Sequence, residues 1–444
     1  VPLKVRVAPG EEAQGAVDAV MALERAVVHG GLGAGKTALL HILAHRSAEE
    51  ALSGQEAPIP FLLDLSALRE SCGAWELLLR SLRHYQPAAT DATLQAILRR
   101  QPPLFLLDNL DRVTDSTVLR ELRAWLASCI QEFPTARAII ACRTHHLPTH
   151  RAWLGPISTL EILALDDAAL GQFLRRHTGE ARAAELNRGL RRDSRLWELA
   201  HVPLFLRAIL DLAASSGGKT AWWSRGAAIR EALRSVLALP DSGHVERWLE
   251  SAGRGLTELA FALQQLQMDE MDWQGAGEIL IGNGQQIEDA LHTGLLVSNE
   301  DSTRVGFPRS QVREFFAAVA LKQRLNGSLN VGQLVQDEHT QRRWQGPLIQ
   351  LCGLLPDRLG LVCELLAHSG EYRVAHLAVQ CLIGNEDRQG LREQVRRLIE
   401  RGLPPATIYQ LGVALKELGA PEEAAIGLGS MPPSESSDGT SPAI

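Results

Sequence analysis

The sequence predicts an α/β domain built on a parallel sheet, followed by an all-α region. Three observations support this fold class. A glycine-rich loop stands between an apolar strand and an apolar helix at residues 26–43. Apolar strands then alternate with helices as far as residue 165, a pattern typical of a parallel sheet. Beyond residue 165 the strand signals fade, and apolar residues recur mainly at helical spacing.

The glycine-rich loop fits the pattern G-x-x-x-x-G-K-[ST] of a phosphate-binding loop, or P-loop. Its predicted nucleotide-binding residues are Gly30, Gly31, Gly33, Ala34, Gly35, Lys36 and Thr37. Glycines let backbone N–H groups face an anion, and the helix that follows presents its positive end to it. Lys36 would meet the β- and γ-phosphates of ATP, or the β-phosphate of ADP, and Thr37 would offer an oxygen to Mg²⁺. A chance glycine-rich turn is the alternative, which the flanking strand and helix disfavour.

Five strands are predicted for the sheet, after a short strand-like start at residues 3–7. They are residues 26–28, 58–65, 103–108, 137–143 and 160–163. An acidic helix is expected over residues 11–25, a helix from about residue 36 to 46, and a polar surface helix or loop over residues 47–56. Further along, a single helix is expected over residues 244–268. In a parallel sheet, ligands bind at the carboxyl ends of the strands. The P-loop, Asp108, Asp111 and Arg143 all fall at such ends, so we expect them to lie at one edge of the sheet.

Two carboxylates follow the strand at 103–108. Asp108 is the expected second ligand for Mg²⁺ beside Thr37. Asp111, three residues later, would orient or deprotonate the attacking water. The alternative for both is a turn in which the carboxylates cap backbone N–H groups.

Two further residues are candidates for contacts with the nucleotide. Arg143, at the tip of the strand at 137–143, would sense the γ-phosphate or the attacking water; an exposed strand-end arginine is the alternative. His145 and His146 follow in a loop and are expected at the surface. Pro203 would brace the adenine, or it is simply a proline that interrupts a helix.

The helical remainder is predicted to contain three domains and a tail. The expected division of the whole chain is a lead-in at 1–20, the P-loop domain at 21–165, a helical domain at 166–240, a winged-helix domain at 241–330, a C-terminal helical domain at 331–430 and a disordered tail at 431–444. The winged helix is suggested by helices followed by two short strands near 295–298 and 303–307. Four or five helices are expected between 338 and 428.

Composition excludes several other classes of protein. With 45% hydrophobic and 22% charged residues, the chain has the composition of a globular protein. Its net charge of −7 argues against nucleic acid as the main partner. Six scattered cysteines without a C-x-x-C pair indicate buried free thiols in a reducing compartment. No apolar run approaches the length of a membrane span. We therefore expect a cytoplasmic protein.

Taken together, these motifs resemble the NACHT branch of the STAND NTPases, over roughly residues 20–355. The segments that carry the resemblance are 30–37, 60–65, 106–111, 141–143, 202–204 and 307–318. The last is similar to the family's Phe-x-His…Glu-Phe/Tyr-x-Ala signature. The resemblance implies a nucleotide-binding domain, a small helical domain, a winged helix and a C-terminal helical sensor that binds an unknown trigger.

Two departures from the family pattern bear on activity. Asn109 and Arg112 replace the small residue and the acid usual after the Walker B strand, which puts fast hydrolysis in doubt. Arg309 stands where the family usually has a histidine that touches the ADP β-phosphate. An arginine would contact that phosphate more strongly, or it lies at the surface.

The resemblance implies a signalling switch that is ADP-bound at rest and ATP-bound when active, and that self-associates in bacterial immune or antiviral defence. At most it would hydrolyse ATP slowly. One alternative is an AAA+-like remodelling ATPase acting on nucleic acid or protein, because a winged helix often binds DNA. Another is a degenerate, non-hydrolysing scaffold, which Arg112 suggests.

Overall fold

The computed structural model describes residues 3–7, 11–68, 72–113, 115–154, 157–191, 193–215, 224–280, 284–299, 303–325, 330–355, 357–368, 372–383 and 388–429. The predicted disordered tail at 431–444 lies outside them. The chain forms two compact units. The first consists of Val1–Arg188, Glu198–Leu206 and Ile287–Pro308, and the second of Gly189–Trp197, Arg207–Gln286 and Arg309–Ile444. The finer division into six parts stays a prediction.

The first unit contains a seven-stranded sheet. Its strands are β1 Lys4–Arg6, β2 Gln14–Gly15, β3 Arg25–His29, β4 Ile59–Asp64, β5 Pro103–Asp108, β6 Arg137–Cys142 and β7 Ser158–Ile162. Their order is β2-β1-β7-β3-β6-β5-β4. The five strands from β7 to β4 are parallel, as predicted, and β1 and β2 add an antiparallel edge.

The prediction of a helix over residues 11–25 is wrong for the first residues of that segment. Gln14–Gly15 instead pairs with β1, in the register Lys4↔Gly15 and Val5↔Gln14, and the helix covers only Ala16–Met21. A strand partner ten residues away in sequence thus replaces the first helical turn. Local propensity cannot reveal such a pairing.

The strands β3, β5 and β6 are largely buried and apolar, as expected of parallel strands that helices cover. The helices confined to this unit are Ala16–Met21, Lys36–Leu52, Ala74–Tyr85, Asp91–Arg100, Ser116–Glu132, Leu147–Leu154 and Asp167–Thr178. The helix after the P-loop runs beyond its expected end near residue 46. Ser47, expected in a polar surface segment, is buried and donates its hydroxyl to Pro58 O at 2.6 Å.

The first unit also contains a small antiparallel hairpin. Its strands, Val297–Ser298 and Arg304–Gly306, pair with Val305 opposite Ser298. Four helices have residues in both units: Glu180–Leu190, Ser194–Ala200, Pro203–Ser215 and Gly284–Thr293. The hairpin agrees with the two expected strands, while a winged helix stays a prediction.

In its described residues, the second unit is helical apart from the short strand Glu270–Asp272. Its own helices are Arg225–Val236, Ser242–Glu250, Arg254–Leu266, Trp273–Ile279, Ser310–Leu325, Val331–Leu334, Glu338–Leu354, Arg358–Ala367, Tyr372–Ile383, Arg388–Glu400, Pro405–Glu417 and Pro421–Gly429. Six helices therefore follow residue 337 in the described ranges, against the four or five expected. They share one apolar core that includes Leu348, Val362 and Val395.

The segment 244–268, expected as one helix, is two. The break falls at Ser251–Gly253, where a side chain on Gly253 would lie 2.6 Å from the ring of Trp248. Among the described helices of the chain, none combines the length and the apolar character needed to cross a bilayer.

Candidate nucleotide-binding site

The order of the strands brings the predicted site residues to one edge of the sheet. Strand β6 lies between β3, which leads into the P-loop, and β5, which ends in Asp108. Arg143 directly follows β6. Because these three strands are parallel, the P-loop, Asp108 and Arg143 all emerge at their carboxyl ends. This agrees with the position expected of a ligand site.

The P-loop has the backbone conformation that its glycines permit. Gly33 and Gly35 have φ angles of 72° and 103°, in the left-handed region that disfavours other residues. Gly35 immediately precedes the helix that begins at Lys36. The Lys36 ammonium donates to Gly30 O at 2.8 Å and to Gly31 O at 3.0 Å. The loop therefore curls around its own lysine, as a phosphate cradle requires.

Two apolar side chains, those of Leu204 and Leu3, pack against this loop. A Cβ on Gly33 would lie 2.3 Å from Leu204 Cβ, and one on Gly35 would lie 3.1 Å from Leu3 Cδ1. The Leu204 amide also donates to Gly33 O at 3.3 Å. Pro203 begins the helix that carries Leu204, and its role beside an adenine stays a prediction.

The residues predicted to hold a metal ion form a matching pair. Thr37 Oγ1 donates to Asp108 Oδ2 at 2.6 Å, and Asp108 is buried. Hydroxyl and carboxylate oxygens are the ligands that Mg²⁺ prefers. Thr37 and Asp108 would therefore hold Mg²⁺, which would neutralise phosphate charge next to Lys36.

Asn109, which departs from the family pattern after Asp108, has a backbone conformation and a hydrogen bond that suit an asparagine. Asn109 has φ 60° and ψ 39°, a left-handed conformation that asparagine tolerates. Its amide donates to Asp64 Oδ1 at 2.9 Å, which connects the ends of β5 and β4. Burial alone would raise the pKa of Asp64, but hydrogen bonds from Asn109 and Ser66 lower it. Asp64 lies in the segment 60–65 that carries the family resemblance, but the sequence did not indicate its contact with Asn109.

Arg143 and Asp111 form a buried ion pair. Arg143 Nε lies 3.2 Å from Asp111 Oδ2, and the Arg143 amide donates to Asp111 Oδ1 at 3.2 Å. The two residues are only 6% and 3% exposed. The alternative of an exposed strand-end arginine is therefore wrong. Asp111 accepts a hydrogen bond from the backbone of Arg143, 32 residues away, and the capping turn considered for Asp111 did not predict this contact.

The rest of the Arg143 guanidinium reaches the end of a helix distant in sequence. It donates to Leu291 O at 2.6 Å and to His292 O at 2.8 Å, in the last turn of helix Gly284–Thr293. Gly294 makes room for it, since a Cβ there would lie 2.6 Å from Arg143 Nη1. A positive charge at a helix C-terminus is stabilising. The sequence contained no signal for this contact.

Of the two histidines expected at the surface, His146 is half-buried, and burial lowers its pKa. The exposure of the His145 side chain lies outside what the structure describes. His150 is buried, and burial, with the charge of His146 as a smaller cause, lowers its pKa to about 4. Both rings therefore remain neutral at pH 7. Arg309 belongs to the second unit, and its contact with a phosphate stays a prediction.

The pKa of Lys36 predicts a pH dependence of nucleotide binding. Burial, reinforced by the charge of Arg143, lowers it from 10.5 to about 8, although Asp111 and Asp108 oppose the change. Bound phosphates would raise this pKa again, so nucleotide binding at pH 9 should take up a proton and weaken as the pH rises above 8. Conversely, the stability of the nucleotide-free protein should rise between pH 8 and 10.5, because the unfolded lysine keeps its proton longer.

Calorimetric titration at pH 9 in two buffers of different ionisation enthalpy measures this uptake. The Lys36→Arg variant is the control, since its guanidinium stays protonated and binding should show no buffer dependence. Equal binding heats for the wild-type protein in both buffers would contradict the prediction.

The fold and the site together define a P-loop NTPase domain: a parallel sheet with a lysine-bearing glycine loop beside a threonine–aspartate pair. Residues 24–181 match the family model of the NACHT domain, so the chain contains a NACHT domain. No curated protein matches the chain.

Several solved structures are similar at low identity. A STAND protein with a tetratricopeptide repeat sensor from Pyrococcus horikoshii is 14% identical with a TM-score of 0.30; the match covers 93% of this chain and 57% of that one. The ORC2 protein of Aeropyrum pernix, in ADPNP and ADP complexes, is 12% identical with a TM-score of 0.34, covering 70% of this chain and 93% of that one. Cdc6p of Pyrobaculum aerophilum is 14% identical with a TM-score of 0.33, and the match covers 69% of this chain and 93% of that one.

Proposed function

We propose that this protein is a nucleotide-dependent signalling switch of the NACHT and STAND type, ADP-bound at rest and ATP-bound when active. It self-associates in the active state and hydrolyses ATP slowly at most. Its setting is the bacterial cytoplasm, in immune or antiviral defence. Its C-terminal helices bind the trigger.

The observation that carries this proposal is the position of Arg143. Its guanidinium is shared between Asp111, three residues after the expected metal ligand Asp108, and the carbonyls of Leu291 and His292. One side chain therefore connects the phosphate end of the sheet with a helix some 148 residues further along the chain. Such a shared group can report the state of the nucleotide to the rest of the first unit.

The electrostatics favour a response to phosphate. The positive charge of Arg143 is close enough to Lys36 to lower the pKa of that lysine. A γ-phosphate near Lys36 would attract the guanidinium and compete with Leu291 and His292 for it. ADP lacks that phosphate and would leave the helix contact in place. The two nucleotides would thus favour different arrangements of helix Gly284–Thr293.

The same contacts support slow turnover. Asp111, the candidate base, is held by the Arg143 guanidinium and the Arg143 amide. A water molecule that Asp111 is to activate must compete with Arg143 for these carboxylate oxygens. Fast hydrolysis would first require this pair to separate. A protein whose output depends on which nucleotide is bound does not need fast hydrolysis.

The test is to denature the purified protein and identify the released nucleotide by chromatography. We expect ADP in near-equal amount to the protein. Lys36→Ala should remove it, because losing charge-assisted bonds to phosphate of about 1.5–3 kcal/mol each weakens binding about 100-fold or more. The exposed Lys416→Ala is the matched control and should keep its ADP.

Two outcomes would contradict the switch. Many turnovers of ATP per second by a monomer that retains no nucleotide would indicate an ordinary ATPase, and stimulation by DNA would favour the remodelling alternative. If Lys36→Ala left both the nucleotide content and the biological activity unchanged, the protein would be a scaffold.

A further inference from the structure

Two aspartates end neighbouring strands of the sheet, and one residue donates a hydrogen bond to each of them. Asp64 ends β4 and lies opposite Asp108, which ends β5, in the parallel register of these strands. Asn109 donates through its side-chain amide to Asp64 Oδ1 at 2.9 Å and through its backbone N–H to Asp108 Oδ1 at 2.9 Å. The position of Asn109 therefore affects both carboxylates.

The carboxylate of Asp108 accepts a hydrogen bond at each of its oxygens. Oδ1 accepts from the Asn109 backbone, and Oδ2 accepts from Thr37 Oγ1 at 2.6 Å. Rotation about the last bond of an aspartate side chain is otherwise broad, so a donor at each oxygen restricts it. The bond from Asn109 thus keeps Oδ2 directed at Thr37, the other expected ligand of Mg²⁺.

The peptide plane between Asp108 and Asn109 carries the N–H that reaches Asp108 Oδ1. Asn109 continues from this plane with a φ of 60° and a ψ of 39°, a left-handed conformation that most residues with a Cβ avoid. Such a conformation persists where surrounding contacts hold it. Asp64 provides one of these contacts through the Asn109 side chain, and it thereby restrains the N–H on the adjoining plane.

Asp64 is itself held in place at the end of its strand. Besides the Asn109 amide, its Oδ1 accepts from the Ser66 backbone N–H at 3.0 Å, which caps the short 3-10 helix after β4. The Asp64 residue is exposed, so it contributes little to the apolar core of the first unit. A series of hydrogen bonds therefore runs from the end of β4 through Asn109 to Asp108.

We propose that Asp64 and Asn109 are positioning residues for the Mg²⁺ that Thr37 and Asp108 would hold. Asp64 restrains Asn109, and Asn109 keeps the Asp108 carboxylate directed at Thr37. Replacing a hydrogen-bond partner of a metal ligand typically weakens metal binding about 10–100-fold. The proposal rests on the metal site of the proposed function, but not on its switching between ADP and ATP.

The test measures the affinity of Mn²⁺, as a probe for Mg²⁺, for the full chain with bound ADP. The electron paramagnetic resonance signal of free Mn²⁺ during a titration gives this affinity. Asp64→Ala removes the acceptor, and Asn109→Gly removes the donor while a positive φ stays accessible. Each should weaken Mn²⁺ binding about 10-fold. Asp108→Ala, which removes the ligand itself, should weaken it further.

Asp64→Asn is the matched control for Asp64→Ala. Its carbonyl oxygen can still accept from Asn109 and Ser66 but carries no charge, so it should restore most of the Mn²⁺ affinity. The double variant Asp64→Ala/Asn109→Gly should bind Mn²⁺ no more weakly than either single variant, because both changes remove the same hydrogen bond. The affinity for ADP in EDTA, where the metal does not contribute, should be unchanged in the single variants.

Three outcomes would overturn the proposal and leave the metal site intact, provided that Asp108→Ala loses Mn²⁺. If Asp64→Ala and Asn109→Gly bind Mn²⁺ like the wild-type protein, the turn closed by Arg112 N on Asn109 O at 3.0 Å holds Asn109 by itself. If Asp64→Asn loses as much affinity as Asp64→Ala, the charge of Asp64 acts rather than its hydrogen bond. An equal loss of ADP affinity in EDTA would indicate a structural role only.

A fourth outcome would overturn the metal site as well. If Asp108→Ala binds Mn²⁺ like the wild-type protein, Asp108 is not a metal ligand and has no orientation for Asn109 to maintain. The Asp108→Ala titration therefore distinguishes failure of the positioning residues from failure of the site that they would serve.

Discussion

Replacing Arg143 with methionine is expected to lower the free energy of unfolding of the protein by about 3–5 kcal/mol, the usual cost of removing one partner from a buried ion pair. The change leaves the Asp111 carboxylate buried beside a methionine. It also removes the donors to Leu291 O and His292 O. Urea unfolding followed by circular dichroism measures the loss.

The matched control is Arg112→Met. Arg112 is exposed in the short 3-10 helix Leu110–Arg112 that follows β5, and its replacement should change the stability by less than about 0.5 kcal/mol. The double variant Arg143→Met/Asp111→Leu removes both charges and should recover part of the loss. If Arg143→Met and Arg112→Met unfold at the same urea concentration, Arg143 does not hold these elements together.

The switch proposal adds a second readout for Arg143→Met. If the guanidinium holds helix Gly284–Thr293 in the resting arrangement, the variant should release ADP faster than the wild-type protein. Dissociation of a fluorescent ADP analogue, measured by stopped flow, gives this rate. An unchanged rate in a destabilised variant would leave Arg143 with a structural role only.

Replacing Gly33 with alanine is expected to be the other severe change. The φ of 72° costs a non-glycine residue about 1–2 kcal/mol. The new Cβ would also lie 2.3 Å from Leu204 Cβ, and such overpacking costs a further 1–3 kcal/mol or so. The loop must therefore move, and we expect both a lower melting temperature and a loss of bound nucleotide.

Gly31→Ala provides the control for Gly33→Ala in the same loop. A Cβ on Gly31 would have no neighbour within 4 Å, and the residue is exposed. The Gly31→Ala variant should have a melting temperature within a few degrees of that of the wild-type protein and should keep its nucleotide. Equal melting of the two variants would mean that the packing of Leu204 on the loop does not constrain it.

Much of the first unit could be predicted from the sequence because its signals are local. The P-loop pattern, the apolar strands and the carboxylate after β5 each occupy a few consecutive residues. The strand predicted at 103–108 coincides with β5, and the others agree with β3, β4, β6 and β7 to within a few residues. Parallel strands then place their carboxyl ends at one edge, which located the site.

The errors have a common cause. Gln14–Gly15 is a strand because β1 pairs with it, and Ser47 is buried because Pro58 O accepts its hydroxyl. The helix expected at 244–268 is broken where Trp248 packs on Gly253. In each case a residue outside the local pattern decided the conformation, and propensity is too weak to resist it.

The sequence by itself determined the class of this protein, a P-loop NTPase domain followed by helices, because loop chemistry and hydrophobic periodicity are written in neighbouring residues. Only the tertiary structure decided what Arg143 does, since Leu291 and His292 lie almost 150 residues away. It likewise placed Leu204 against Gly33 and joined Asp64 to Asn109. Contacts between distant segments depend on how the chain packs, and no local pattern encodes them.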